Sequence, residues 1–282
     1  MKILFKYLRA KVIYNMKELF IKTYSRLKKI AYGSLSIILF FLLWEVASDI
    51  GLANPVLVSK PTSIFAAIFK LIQSGELFIH LSITLKRASV GFFIAILIAI
   101  PAGFIIGGFF KGLEPILAPM LRLLEKINPF ALFPLFIFIF GIGEVSKVVL
   151  IFWVAQWPIL FNTIAGLRDI DPLLIKSARS MGASKTFVFF KVIVPSAIPN
   201  IFTGIKVGAQ IACFMVISAE MLGASKGLGW LTVTAQANYQ IPLLFAASLC
   251  IAVLGVAINE LFAWLEALVS FGRQTTFENI KN

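Results

Sequence analysis

The residues in this chain that could carry covalent chemistry are few and scattered. Its single histidine, His80, has no companions from which to build a metal cluster, which leaves it a packing or hydrogen-bonding role. Cys213 and Cys250 both lie within apolar runs and read as buried free thiols. Gly223-Ala-Ser-Lys226-Gly-Leu-Gly229 looks superficially like a phosphate-cradling loop, but its spacing is wrong, and no Gly-Lys-Ser or Gly-Lys-Thr occurs anywhere. The chain cannot hydrolyse ATP by itself. No grouping of Ser, Cys, Asp or His in the apolar runs suits intramembrane hydrolysis either, so the reading is a non-enzyme without a cofactor. Ionisable side chains inside apolar runs are costly and worth weighing singly. Glu45 and Glu220 stand near run ends, Glu260 lies deeper, and Lys206 is close enough to an edge to snorkel out. Glu220 and Glu260 are candidates for facing a pathway or for structural hydrogen bonds between helices.

Recognition by a partner is the chemistry that the remaining polar stretch suits. Lys176, Ser177, Ala178, Arg179, Ser180, Met181, Gly182 and Ala183 interrupt two long apolar runs, and Pro195 follows further on. Asp171-Pro172 is a helix start, Leu173, Leu174, Ala178 and Met181 give the helix apolar positions, and Gly182 ends it. A loop built as a small structured element is a surface for something else to grip.

The elements around that loop are membrane spans. The chain is 60% hydrophobic and 14% charged, with 28 Phe and a mean hydropathy of +0.95, so lipid is its main solvent. A crossing needs about 20 mainly apolar residues, and six segments qualify: 33–50, 88–110, 117–140, 145–165, 201–222 and 241–268. The expected fold is an all-α polytopic membrane helix bundle of about six transmembrane helices. In the third segment, Asn128-Pro129 and Pro134 follow Arg122, Glu125 and Lys126, so it is expected to begin as an interfacial helix and enter the membrane near Pro129. Leu35–Leu43 is preceded by a basic region and followed by Trp44 and Glu45, and reads as a retained span rather than a cleavable signal. Most Lys and Arg outside the spans, including Arg168, Lys176, Arg179, Lys185 and Lys191, fall on the side of both termini, which the positive-inside rule makes cytoplasmic. That placement accounts for the net charge of +13 without nucleic acid as a partner.

Three finer readings complete the layout. Residues 1–32 form a basic amphipathic extension suited to lying on anionic lipid at the inner leaflet, 33–270 the membrane domain, and 271–282 a cytoplasmic tail. Pro61-Thr-Ser opens a short external helix with an apolar stripe of Ile64, Ile68 and Leu71. Small residues recur at every fourth position, Ala95, Ala99, Gly103 and Gly107 in the second span and Gly204, Gly208 and Ala212 in the fifth, as close helix packing in lipid demands.

With the loop placed inside, the chain resembles the membrane-spanning permease subunit of binding-protein-dependent ABC importers. Their loop carries Glu-Ala-Ala, then Gly, then Ile-x-Leu-Pro; here Lys176, Ser177 and Ala178 take the first places, Gly182 the glycine, and Val192, Val194 and Pro195 the close. Arg179-Ser-Met-Gly182-Ala-Ser184, Phe140-Gly-Ile-Gly-Glu-Val-Ser-Lys147, Pro158-Ile-Leu-Phe-Asn-Thr163, Ala165-Gly-Leu-Arg168 and Ala219-Glu-Met-Leu-Gly-Ala-Ser225 resemble the nitrate, aliphatic sulfonate and taurine branch. The resemblance covers about residues 35–270. It implies a coupling helix that inserts into a cytoplasmic ATP-binding subunit, a second permease copy completing the pore, and an extracytoplasmic solute-binding protein that selects the ligand. It also implies a plasma (inner) membrane location. The ligand expected is a small solute such as a sulfonate, nitrate, taurine or a thiamine-pyrimidine precursor. Lys176 replaces the family's acidic residue and Ser177 its first alanine, which calls for a compensating acid on the ATPase. An ion-coupled carrier would show inverted repeats and discontinuous helices. A non-transporting scaffold would leave the loop unexplained.

Overall fold

The computed structural model describes residues 35–36, 38–52, 54, 57–109 and 112–281, with 109 and 267–281 by backbone alone. The basic amphipathic extension expected at the N-terminus lies outside the described residues. The chain divides into two compact units, 1–66 and 67–282. Among the described residues every regular element is helical, so the all-α expectation holds.

In the first unit, residues 38–49 form α1, and α2 (Pro61–Gln73) begins. Glu45 reaches the start of α2, where its carboxylate accepts from the Thr62 backbone N–H at 3.1 Å and from Thr62 Oγ1 at 2.8 Å. A carboxylate at a helix N-terminus satisfies an orphan donor and meets the positive end of the helix dipole. Asp49 pairs with Lys60, whose pKa is raised by that hydrogen bond and charge. The expected first span, 33–50, is thus helical over 38–49, its beginning lying outside the described residues.

The second unit holds the bundle: α3 (Glu76–Phe104), α4 (Leu113–Glu125), α5 (Pro129–Phe140), α6 (Glu144–Arg168), α7 (Pro172–Ser180), α8 (Lys185–Val188), α9 (Val194–Gly223), α10 (Leu228–Ala237) and α11 (Ile241–Lys281). Four stretches are long and apolar enough to cross a membrane: Glu76–Gly108, Glu144–Arg168, Lys185–Gly223 and Ile241–Glu266. A fifth crossing is available if α4 and α5 count as one broken span, bent by 88°. The bend falls at Asn128, which caps α5 by accepting from Phe130 N, with Pro129 at the first helical position.

Two span boundaries differ from expectation, and one helix outruns its span. The second span starts at Glu76, well before the expected residue 88, because a polar stripe of His80, Thr84 and Arg87 is buried within the helix. The fifth begins before 201 and runs through Pro195 and Pro199; a π-turn at Phe189–Ile193 just ahead absorbs the lost backbone donor. The sixth continues as helix to Lys281, through the segment read as a tail.

The hub is α6, which packs on α3 at one side and α9 at the other. Both small-residue faces meet it. A Cβ on Gly103 would come within 2.6 Å of the Thr163 side chain, and one on Gly204 within 2.9 Å of the Pro158 carbonyl. Bulk at either site would separate the backbones, and in lipid that contact is the main source of helix association. The core between these helices is built from Ala95, Ala99, Ile151, Ala155, Ile159, Ala212 and Val216.

Candidate functional site

The loop between α6 and α9 is a rigid element. Asp171 caps α7 by accepting from Leu173 N at 2.8 Å, and Pro172 occupies the first helical position, whose N–H would be orphaned anyway. At the other end the N–H of Ala183 bonds the Ala178 carbonyl at 3.1 Å and that of Gly182 the Arg179 carbonyl at 3.0 Å. Gly182 takes φ +80°, completing a Schellman stop that a side chain would strain. Ser184 then caps α8.

This element has a fastened side and an offered side. Ala178 is buried, and Ile175 packs on Leu167, Ile170, Ala197 and Ile201. Leu173, Leu174 and Met181 are 65%, 50% and 80% exposed, and Lys176, Ser177 and Arg179 are exposed beside them. Ala183 is half-buried and Pro195 exposed, the latter beyond α8 in the first turn of α9. Three exposed apolar side chains among basic ones make a small surface suited to a groove on another protein.

At the opposite end of α6 lies a polar clasp. Arg87 donates through Nε and Nη2 to both Glu144 oxygens at 2.6 and 2.7 Å, and through Nη1 to Glu220 at 2.8 Å and to the Lys226 carbonyl at 2.7 Å. Three first-turn donors of α10 are satisfied by side chains from other helices. Gly227 N–H donates to His80 Nδ1, Leu228 N–H to Thr84 Oγ1 and Gly229 N–H to Glu220, each at 3.0 Å. Thr84 Oγ1 also donates to Glu220 at 2.9 Å, and His80 stacks on Trp230. Glu220 is 1% exposed, so the structure places it as a helix cap and ion-pair partner rather than in an open passage. The loop closes so tightly that a Cβ on Gly227, at φ +123°, would stand 2.3 Å from the Glu220 carboxylate.

The other ionisable candidates lie along α9 and α11. Glu260 is exposed, 3.5 Å from Asn259 Nδ2, and Asn259 accepts from Gln210 at 2.5 Å. Lys206 pairs with Glu266 at 2.8 Å. A cavity of about 560 Å³ opens between the two helices, lined by Gln210, Ser218 and Asn259 among apolar side chains. Sequence reasoning left Arg87 at a span edge and gave Thr84 no role. The signal was present: Glu76, His80, Thr84 and Arg87 continue the same helical face as Gly91, Ala95, Ala99 and Gly103.

Comparison with known proteins places this architecture. Residues 95–271 match the family described as binding-protein-dependent transport system inner membrane component. The chain belongs to that family. A Bacillus subtilis (strain 168) relative named as an aliphatic sulfonates transport permease protein, SsuC, is 35% identical over 79% of this chain and 81% of its own length. The taurine transport system permease protein TauC of Escherichia coli (strain K12) is 28% identical over 86% of each chain. Among solved structures, an inward-facing MetNI methionine ABC transporter chain matches with a TM-score of 0.58 at 20% identity, covering 66% of this chain and 92% of that one, a likeness of fold. The protein is a permease component of an ABC importer, and the family is one of transporter components rather than enzymes. The bent α4–α5 pair is therefore a feature of a permease, although a discontinuous helix was an expectation attached to the ion-coupled carrier.

Proposed function

We propose that two copies of this permease form the membrane pathway of an ATP-driven importer, with α7 as the element each copy seats on a cytoplasmic ATP-binding subunit. The observation that carries the reading is the construction of α7. It is capped at both ends, fastened through Ala178 and Ile175, and inserted between α6 and α9, while Leu173, Leu174 and Met181 face outward. A short rigid helix so placed moves α6 and α9 with it when the ATP-binding subunits close, a largely rigid-body transmission. Both termini and α7 face the cytoplasm, and the clasp around Arg87 faces the side where a solute-binding protein delivers ligand. The names of the relatives, which include sulfonate, taurine and nitrate permeases, favour a small anion such as a sulfonate, taurine or nitrate over a thiamine-pyrimidine precursor. The basic N-terminal extension suits the anionic inner leaflet.

The test is gentle extraction of the tagged protein from native membranes. An ATP-binding subunit recovered at equal stoichiometry supports the reading, and a homomer without one, after crosslinking, overturns it. Lys176 sharpens the test. Because it is exposed on α7 where the family carries an acid, Lys176→Glu is expected to weaken capture of the ATP-binding subunit. Unchanged capture would show that the partner's groove has no compensating acid.

A further inference from the structure

A second charged site lies at the end of α6 that carries α7. There α4 and the last turns of α6 flank an open cleft of about 440 Å³. Its charged lining is Glu114, Arg122, Glu125, Lys126 and Arg168. The position of these groups follows from the 88° bend. The bend lays α4 across the bundle with Leu117, Leu121 and Leu124 on the core, leaving Arg122 in its last turn, where the helix dipole favours a cation.

None of these five side chains makes a hydrogen bond among the described residues. Arg168 stands 3.7 Å from Glu114 and 3.8 Å from Asp169, and Lys126 stands 3.6 Å from Glu125, all too long for hydrogen bonds. Arg122 has no ion-pair partner at all among the described residues. Guanidinium donors left open beside a cavity have the planar fork that matches an oxyanion. Arg168 faces Glu114 and Asp169, and Lys126 faces Glu125, so Arg122 is the one lining cation without a counter-charge among the described residues, which suits a monoanion better than a dianion. Phe161 and Ile164 supply an apolar wall for an aliphatic portion. The volume is that of a small-ligand pocket.

We propose that this cavity binds a monovalent organic oxyanion, a sulfonate or phosphodiester head with an aliphatic part, held by Arg122 and Arg168. Such a group has two sources: the transported solute, a source that rests on the importer reading above, and the headgroup of an anionic lipid. The experiment uses the intact complex in phosphatidylcholine nanodiscs, with calorimetric titration of butanesulfonate and of sulfate. Wild type is expected to bind butanesulfonate in preference to sulfate. Arg122→Gln and Arg168→Gln should each weaken binding about tenfold, as loss of a charge-assisted hydrogen bond does. Arg122→Lys, which keeps the charge but not the fork, should fall between.

Native mass spectrometry of the complex from phosphatidylglycerol nanodiscs separates the sources. Retained lipid that is lost in the Arg122→Gln/Arg168→Gln double variant, with butanesulfonate inert, assigns the site to lipid. Butanesulfonate binding that phosphatidylglycerol does not block assigns it to the free solute. Binding of neither probe, binding unchanged in the variants, or a preference for sulfate overturns the proposal. Recovery of the ATP-binding subunit with the same preparation keeps such a failure separate from a failure of the importer reading.

Discussion

At one end of α6 the guanidinium of Arg87 makes four hydrogen bonds of 2.6–2.8 Å; at the other, Arg168 and the neighbouring Arg122 make none among the described residues. The same chemical group is saturated in one place and open in the other. Arg87 is 5% exposed, so its donors had to be met within the protein, and they are met by two carboxylates and a carbonyl from α6, α9 and the loop before α10. Arg168 is 64% exposed at its side chain and leaves its donors for water or a ligand. The difference teaches how to read charged residues in this bundle. A saturated cluster fixes helices against one another, whereas an unsaturated one beside a cavity is available for binding.

The severest way to break this contrast is Arg87→Ala. It strands the fully buried Glu220 carboxylate and frees the loop carbonyl of Lys226, and breaking a buried pair by removing one partner costs about 3–5 kcal/mol. Thermal denaturation of the purified complex should show a large fall in Tm, together with low recovery from membranes. A wild-type Tm would mean that the clasp is not structural. Next in size is Gly227→Ala. The φ of +123° and the approach to the Glu220 carboxylate together imply a loss of roughly 2–3 kcal/mol. Gly182→Ala meets open space at φ +80°, so it should cost only about 1 kcal/mol, while loosening the stop that ends α7. Comparing the two variants by denaturation and by capture of the ATP-binding subunit separates the clasp from the docking helix. Gly227→Ala should lower stability more, and Gly182→Ala should lower capture more.

How much of this was legible in the chain depended on how local each cause is. The bounds of α7 were legible because Asp171, Pro172 and Gly182 act within a turn of themselves. The small-residue faces were legible because their spacing is helical, and the structure sets both against α6. The clasp was not, because its bonds join residues far apart in sequence: Thr84 and Glu220 are separated by 136 positions. Hydropathy also set the start of the second span too late, at residue 88, because His80, Thr84 and Arg87 lower the apolar character of the first turns of α3. The cavity around Arg122 depends on the 88° bend at Asn128. The sequence marks that break through Asn128-Pro129, but its angle follows only from packing of Leu117, Leu121 and Leu124.

The smallest expected effect is the one that sharpens the contrast most. Arg122→Gln removes a cation with no hydrogen bond or ion pair among the described residues, at an exposed position in the last turn of α4. Its only structural contribution is a favourable charge near the helix C-terminus, so stability should change by no more than about 0.5 kcal/mol. The same substitution made at Arg87 would be expected to unsettle the three spans it joins. Equal losses of Tm in Arg122→Gln and Arg87→Gln would mean that both arginines are structural and that the open cavity has no separate use. A silent Arg122→Gln in denaturation, paired with weakened butanesulfonate binding, would place the two ends of α6 in different roles: one holding the bundle, the other receiving an anion.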